Sequence, residues 1–166
     1  MPESPPPEAS RESLAEALNG RLASLVYIMK GRRSPVTRLG VLELEDGRLT
    51  LRDRDGGPLF AVPAAGVEAR PARRRSTELH RNAFEVRAGD TWWFFTVHAP
   101  TKYERRSTRE LVARFGVREQ APRPTAMGPE QYRRLIENPL SHQLLWAACW
   151  IEALSRPQGG TGQRGG

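Results

Sequence analysis

The chain has 166 residues, of which 38% are hydrophobic and 27% charged, so it is long enough for one domain with its own core. The single cysteine, Cys149, excludes an intramolecular disulfide and a metal site built from several cysteines, and it fits a reducing compartment. No apolar stretch approaches the roughly 20 residues that span a bilayer, and the first residues lack a secretory pattern. We therefore expect a cytoplasmic protein.

The formal net charge of +7 permits attraction to anionic partners. The 26 basic residues are two lysines, Lys30 and Lys102, and 24 arginines. Such an arginine bias also follows from GC-rich coding, so the charge alone does not indicate a function.

Composition divides the chain into five segments. Residues 1–9 are Pro-rich and residues 156–166 are Gly-rich, and both have too few apolar side chains to offset the entropy of ordering. We expect them to be disordered tails. Between them we predict a domain at 10–116, a Pro-containing linker at 117–128 and a helical extension at 129–155.

The clearest local pattern is a β-hairpin at Leu42–Arg52, which reads Leu-Glu-Leu-Glu-Asp-Gly-Arg-Leu-Thr-Leu-Arg. Apolar and polar residues alternate on both sides of Asp46-Gly47, a dipeptide that suits a two-residue turn with positive φ at both positions. One face of the hairpin is predicted to carry Leu42, Leu44, Leu49 and Leu51. The other is predicted to point to water with Glu43, Glu45, Arg48, Thr50 and Arg52.

Similar short segments recur along the first hundred residues. The predicted strands are 22–29, 38–45, 48–54, 59–62, 67–70, 83–88 and 91–97. The last strand, Thr91-Trp-Trp-Phe-Phe-Thr-Val97, is apolar on both faces and therefore needs cover on both. For the first segment, a longer N-terminal helix that absorbs it is an alternative.

Helices are predicted at both ends of this strand region. Ser10 can cap a short helix that carries Leu14 and Leu18, and the capping box Ser107-x-x-Glu110 predicts a helix at 107–116. Pro129 opens another helix. For the final helix, about 140–155, the apolar side is predicted to carry Leu144, Ala147, Ala148, Ile151 and Leu154. We expect this helix to be buried in its own domain, with homodimerisation or a partner's groove as the alternatives.

Seven short strands followed by a capped helix resemble the pleckstrin-homology-like (PH-like) superfold, in particular its bacterial and GRAM-type members. The likeness is carried by Gly40–Leu51, Phe60-Ala-Val-Pro63, Phe84-Glu-Val86 and the aromatic run that ends at Pro100. It implies a mainly β (α+β) fold, with a bent seven-stranded antiparallel sandwich or partly open barrel and a C-terminal helix. The extra C-terminal helices could pack on the barrel, form an interface or replace the expected capping helix.

The resemblance also implies a binding site for an anionic ligand. In phosphoinositide-binding PH domains the loop after the first strand carries a lysine, and Arg-x-Arg follows on the second strand. The comparable stretch here contains Lys30, Arg32, Arg33 and Arg38, but Gly40 stands where the second arginine of the pair would be. A basic loop that is merely solvated is the alternative.

A second basic patch contains Arg73, Arg74 and Arg75. It has no interleaved aromatic residues and no helix to enter a groove, so nucleic acid is not an expected partner. His80, His98 and His142 are scattered, and no spacing typical of a nucleophile with its base or of a metal site occurs. We therefore predict no catalytic residue, no metal and no cofactor.

Together these features predict a non-enzymatic binding or scaffolding module. The first hypothesis is an adaptor that mediates protein–protein interaction, with a partner that the sequence does not identify. The second is a peripheral module that binds an anionic lipid or phosphorylated ligand at the inner membrane surface, through the basic loop after the first strand. A homodimer through the 140–155 helix is a further hypothesis.

Overall fold

The computed structural model describes residues 13–29, 37–72, 83–97, 106–118 and 120–156. Seven strands form one sheet: β1 (Arg21–Met29), β2 (Thr37–Glu45), β3 (Arg48–Arg52), β4 (Pro58–Pro63), β5 (Glu68–Pro71), β6 (Ala83–Ala88) and β7 (Thr91–Val97). Within the described ranges four α-helices accompany them: α1 (Leu14–Ala17), α2 (Arg106–Phe115), α3 (Pro129–Ile136) and α4 (Pro139–Ser155); a short 3-10 helix, Ala64–Gly66, follows β4. The strand order is β4-β3-β2-β1-β7-β6-β5, and all neighbouring strands are antiparallel. The seven predicted strands are confirmed, with ends that differ by one or two residues.

The hairpin of β2 and β3 follows its predicted register. Leu42 pairs with Leu51 and Leu44 with Leu49, and all four side chains are buried. Asp46 and Gly47 have φ of 51° and 72°, as the two-residue turn requires. The prediction that the opposite face points to water is wrong in part. On that face Thr50 is buried, and the Glu43 carboxylate is held by the Arg21 guanidinium.

The inner face of the sheet is covered by α4. Its buried residues join those of β1, β6 and β7 in one hydrophobic cluster, in which Trp146 and Trp150 are 1% and 0% exposed. Burial of this helix in its own domain is confirmed. The predicted side is right in part: Ala147 and Leu154 are buried, but Leu144 and Ala148 are exposed. The side that faces the sheet also includes Leu145, Trp146, Cys149 and Trp150. Apolar residues nearly encircle this helix, so their spacing does not define which face is buried.

The predicted capped helix, α2, lies on the outer face of the sheet. Leu25 and Val41 alternate with the inward-facing residues of β1 and β2, and they form a second buried cluster with Leu111 and Val117. The helix begins at Arg106, so Ser107 is in its first turn and not at the N-cap. Gly116 follows the helix with φ of 58°, as predicted for its C-terminal cap.

The N-terminal helix begins later than predicted. Its N-cap is Ser13 and not Ser10, and the Ser13 hydroxyl accepts a hydrogen bond of 3.3 Å from the Glu16 N–H. Leu14 is nevertheless buried, and its N–H donates to the Arg123 carbonyl at 2.7 Å. This backbone hydrogen bond connects the chain before β1 to the segment between α2 and α3.

The segment predicted as a linker, 117–128, forms hydrogen bonds with α3 and α4. The Cys149 thiol donates to the Pro122 carbonyl at 3.0 Å, and the Tyr132 hydroxyl donates to the Ala121 carbonyl. The Thr125 N–H donates to the Glu152 carboxylate at 3.1 Å. These bonds hold residues 121–125 against α3 and α4. No helix in the described ranges is both long and apolar enough to cross a membrane.

Candidate functional site

Arg38, one of the four predicted ligand-binding residues, lies near the end of the sheet that we call the β1–β2 edge. Here β1 ends at Met29 and β2 begins at Thr37. Because neighbouring strands are antiparallel, the turn from β3 to β4 and the turn from β6 to β7 lie at the same edge. Lys30, Arg32 and Arg33 fall outside the described residues, and their role stays a prediction. Residues 30–36 contain three basic side chains and no acidic one.

Arg38 is the predicted ligand-binding residue that the structure describes. It pairs with Ile28 across the two strands and is on the same face of β2 as Leu42 and Leu44. Unlike those leucines it is exposed, because it lies beyond the hydrophobic interior. Within the described ranges it has no ion-pair partner. Its exposed side chain lies near the end of the sheet where β1 ends and β2 begins.

Gly40 leaves no room for a second side chain beside Arg38. A Cβ at this position would lie 2.6 Å from the Arg52 carbonyl oxygen and 2.6 Å from Ile28 Cδ1. Real Cβ contacts are not that short, so the backbone of β3 and the side chain of Ile28 would have to move. The departure from the Arg-x-Arg pattern thus has a steric cause.

In the turn from β3 to β4, charged side chains form hydrogen bonds with backbone groups of the same turn. The Asp53 carboxylate accepts hydrogen bonds of 2.9 Å from the Asp55 and Gly57 N–H groups, and Arg52 donates to the Gly56 carbonyl at 3.3 Å. Arg54 and Asp55 are exposed and opposite in charge. The residues of this turn therefore add no net charge to the β1–β2 edge, but Arg114 of α2 lies beside it, since a Cβ at Gly56 would be 3.2 Å from the Arg114 guanidinium.

The second basic patch, Arg73 to Arg75, falls outside the described residues. The strand ends that flank it, Pro71 of β5 and Ala83 of β6, belong to the opposite edge of the sheet. The two predicted basic segments are therefore connected to opposite edges, and the strand topology does not join them in one site.

A polar cluster that the sequence analysis missed lies on the outer face of β5, β6 and β7. The Glu85 side chain is 4% exposed, and the Arg70 Nε donates to its carboxylate at 2.6 Å. The Arg70 guanidinium also stacks 3.8 Å from the ring centroid of Trp92. Arg87 forms a more exposed ion pair with Glu68 at 2.9 Å. One feature of the sequence points to this cluster: β7 is apolar on both faces, so Trp92 on its outer face must be covered by other side chains.

A groove of about 410 Å³ separates β5 from the end of α4. It is lined by Ala65, Val67, Glu68, Ala69, Leu154, Ser155 and Arg156. In the described part of the chain, β5 is a terminal strand that pairs only with β6. One of its sides is therefore open to the groove.

The described residues contain no group of His, Cys, Asp and Glu side chains that could hold a metal ion. Burial, and next the charge of Glu152, raise the pKa of the Cys149 thiol far above its ordinary value, so its thiolate is not formed near neutral pH. His142 is 8% exposed, and burial lowers its pKa.

No family model matches the sequence, and no curated protein matches it. The solved structures that resemble it weakly include three structures of PH domains. The C-terminal PH domain of human pleckstrin is 15% identical, with a TM-score of 0.35 over 75% of this chain and 87% of that chain. The C-terminal PH domain of pleckstrin in complex with D-myo-Ins(1,2,3,4,5)P5 is 21% identical, with a TM-score of 0.30 over 59% and 96%. The PH domain of ArhGAP27 is 20% identical, with a TM-score of 0.28 over 60% and 97%.

At TM-scores this low, the three similarities identify neither a ligand nor a subfamily, and bacterial origin and GRAM type stay predictions. The architecture is clear from the chain itself. Two antiparallel meanders, β1–β4 and β5–β7, are joined into one sheet by the pairing of β1 with β7, and α4 covers the inner face of the sheet. This seven-stranded antiparallel sheet with C-terminal helices matches the mainly β fold class that the resemblance to PH-like domains predicts.

Proposed function

We propose that the chain is a non-enzymatic binding module that attaches to anionic, phosphate-bearing ligands through the β1–β2 edge. The residues involved are Lys30, Arg32, Arg33 and Arg38. The proposal is carried by one observation. The exposed guanidinium of Arg38 lies at the strand end next to a connection that has three basic residues and no acidic one.

The energetics favour such an attachment. The backbone of Arg38 is fixed by its pairing with β1, and a guanidinium can donate two parallel hydrogen bonds to one phosphate. Each Lys or Arg near an anionic membrane surface contributes about 1 kcal/mol. Four such residues give roughly 4 kcal/mol before the cost of ordering, which suits reversible binding.

The hydrophobic interior formed by the described residues is filled with large side chains. Side chains of β1, β6, β7 and α4 fill it, and Trp146, Trp150, Phe84 and Phe95 are each at most 1% exposed. A substrate pocket in this region would require the removal of a large buried side chain. A binding surface outside the core is therefore the better supported role.

Vesicle sedimentation tests the proposal. The wild-type chain should bind phosphatidylcholine vesicles that contain phosphatidylserine and should not bind pure phosphatidylcholine vesicles. The double variant Arg32→Glu/Arg33→Glu should lose this binding. Arg73→Glu/Arg74→Glu is the matched control, since it changes the net charge equally at the other basic segment, and it should retain most of the binding. Equal losses in both variants would show that only net charge matters and would refute a site at the β1–β2 edge.

A second candidate function, binding of a protein partner, is supported by the groove between β5 and α4. The Ala72 N–H donates to the Ala83 carbonyl at 3.1 Å, and with the register of β5 and β6 this directs the backbone groups of Ala69 away from β6. An extended peptide can add to such a free edge as a further strand. Pro71 has no N–H, so the available edge is short.

Peptides selected from a random phage library test this second candidate. Ser155 is exposed and lines the groove, so Ser155→Trp should fill it and abolish binding of the selected peptides. Ala148 is exposed on the same helix away from the groove, and Ala148→Trp should leave binding intact. Selection of peptides that bind both variants equally would count against the groove.

The homodimer remains a separate proposal. The side of α4 that remains exposed includes Leu144, which is 49% exposed, and Ala148. If this side forms a dimer, Leu144→Glu should shift the chain from dimer to monomer in analytical ultracentrifugation. A monomeric wild-type chain at high concentration would exclude the dimer.

A further inference from the structure

The side of α4 that faces away from the sheet carries an uncharged row of side chains. We call it the outer stripe, and it consists of Ser141, Leu144, Ala148, Ile151 and Ser155. These residues are spaced alternately by three and four positions, so they fall within a sector of about 80° around the helix axis. Leu144 is 49% exposed, Ala148 and Ser155 are also exposed, and Ser141 and Ile151 are half-buried.

The absence of charge distinguishes this surface from the other long helices. Residues 138–151 contain no Asp, Glu, Lys or Arg, although 27% of the chain is charged. In contrast, α2 exposes Arg109 and Arg114, and α3 exposes Arg133 and Arg134. An exposed, partly apolar surface without charge is typical of the centre of a protein–protein interface. It does not suit an anionic ligand, because the outer stripe offers no cation.

Glu152 borders the outer stripe, but its carboxylate is directed to one side. It accepts hydrogen bonds from the Thr125 N–H at 3.1 Å and from the Thr125 hydroxyl at 3.2 Å, and it lies 4.0 Å from the Arg156 guanidinium. These contacts satisfy the carboxylate within the chain. The charge of Glu152 therefore does not oppose the docking of an apolar surface on the stripe.

The outer stripe alternates in side-chain size. Leu144 and Ile151 are large, and each lies between two of the small residues Ser141, Ala148 and Ser155. In either direction along the helix the order is small, large, small, large, small. Such a surface is complementary to itself when a second copy is turned end for end, as in an isologous two-fold interface. This property favours a second copy of the chain over an unrelated protein.

We infer that two copies pair through their outer stripes, with the two α4 helices antiparallel and a two-fold axis near Ala148. This inference rests on the homodimer proposed above and specifies its geometry. In an antiparallel pair, Leu144 of one copy can lie against Ala148 of the other, so large side chains pack over small ones. In a parallel pair, identical residues share a layer. Ala148 would then face Ala148 between two layers of large residues and leave a cavity.

The size of the contact sets its strength. One helix from each copy buries less than the roughly 1,200 Å² that stable interfaces bury at least. The dimer should therefore be weak, with a dissociation constant between about 1 µM and 1 mM. Sedimentation equilibrium of the wild-type chain over this range of concentrations measures it.

Cross-linking of cysteine variants tests the orientation. Ser141→Cys and Ser155→Cys place thiols at the two ends of the outer stripe, about 21 Å apart along one helix. With a bis-maleimide that is much shorter than this distance, an antiparallel pair should cross-link in an equimolar mixture of the two variants and in neither variant alone. The wild-type chain is the control. Its Cys149 is buried, and burial raises the pKa of the thiol, so it should not react.

A packing variant separates a specific helix pair from general apolar association. Ala148→Leu changes an exposed position, so the fold should be retained. In the antiparallel pair the new side chain would meet Leu144 of the other copy, and the dissociation constant should increase about tenfold. Ala113→Leu, at an exposed position of α2, is the matched control and should leave the dissociation constant unchanged. Tighter association of Ala148→Leu would overturn the inferred packing.

The outcomes distinguish the inference from the proposal on which it rests. If the wild-type chain dimerises and either cysteine variant cross-links alone, the helices are parallel or another surface pairs, and the inference is overturned while the homodimer stands. A wild-type chain that sediments as a monomer at about 1 mM refutes the homodimer itself. Dimerisation, a cross-link confined to the mixture and weakening by Ala148→Leu together support the antiparallel pair.

Discussion

Trp150 on α4 donates its indole N–H to the hydroxyl of Ser24 on β1, at a distance of 2.8 Å. The two residues are 126 positions apart in the sequence, and both are at most 1% exposed. A buried indole N–H needs an acceptor, so this bond fixes how α4 lies across the inner face of the sheet. The C-terminal helix is thereby part of the same core as the first strand.

Replacement of Ser24 by Ala should lower the free energy of unfolding by about 1–3 kcal/mol, because it leaves the buried Trp150 N–H without an acceptor. Urea denaturation measures this loss. In a Trp150→Phe background the same replacement should cost much less, since no indole donor remains. Ser155→Ala, at an exposed position of α4, is the control and should change stability by no more than about 0.5 kcal/mol. Equal costs of Ser24→Ala in both backgrounds would contradict this account.

A methyl group at position 40 should destabilise the sheet. The Gly40→Ala change would place Cβ 2.6 Å from the Arg52 carbonyl oxygen and Ile28 Cδ1, which forces β3 or Ile28 to shift. We expect a loss of about 1–3 kcal/mol in thermal or urea unfolding. Gly66→Ala is a suitable control, because nothing lies within 4 Å of a Cβ there, and its effect should be close to zero. Comparable stabilities of the two variants would refute the close approach at Gly40.

The strands could be predicted from the sequence because their signals are local. Alternation around Asp46-Gly47 determines both the turn and the faces of the hairpin, and the positive φ of both residues agrees with it. The buried side of α4 could not be predicted in this way. Apolar residues surround the axis of this helix, so their spacing does not show that Trp150 is buried and Leu144 exposed. The buried position of Trp150 includes a hydrogen bond to Ser24, which is distant in the sequence.

In the candidate site, too, local features could be predicted from the sequence and contacts between distant residues could not. The position of Arg38 near the start of β2 could be predicted, because the strand pattern that follows it is local, while its role stays a prediction. The lack of space for a side chain at Gly40 could not be predicted, because it depends on the carbonyl of Arg52 in another strand. The ion pair of Arg70 and Glu85 could not be predicted either, because it depends on the pairing register of β5 and β6, which neither residue determines by itself.

The two ion pairs on the outer face of β5 and β6 should differ in their importance for stability. Arg70→Met should cost about 1–3 kcal/mol, because it leaves the Glu85 carboxylate, which is 4% exposed, without its guanidinium. Arg87→Met breaks a pair whose side chains are about half exposed, and it should cost at most about 1 kcal/mol. Urea denaturation of both variants provides the comparison. If Arg87→Met is the more damaging change, the burial of Glu85 does not control the stability of this face.

His142 should make the stability of the chain depend on pH. The residue is buried in α4, its Nδ1 has no hydrogen-bond partner among the described residues, and burial lowers its pKa below the ordinary value of 6.5. Above pH 6.5 the imidazole is neutral in both folded and unfolded chains, so it causes no loss. As the pH falls below that value, the unfolded chain binds a proton first, and the free energy of unfolding decreases until the folded-state pKa is reached.

Urea unfolding between neutral pH and about pH 5, above the range in which most carboxylates titrate, measures this effect. His142→Leu should remove the part of the decrease that is due to this residue, because the buried position then has no group to protonate. His80→Gln serves as the control for a histidine elsewhere in the chain and should retain the decrease. A wild-type chain whose stability is constant over this range would show that His142 is protonated as readily in the folded state as in the unfolded state. In that case the core around the first turns of α4 would have to admit water or supply an acceptor for the imidazolium.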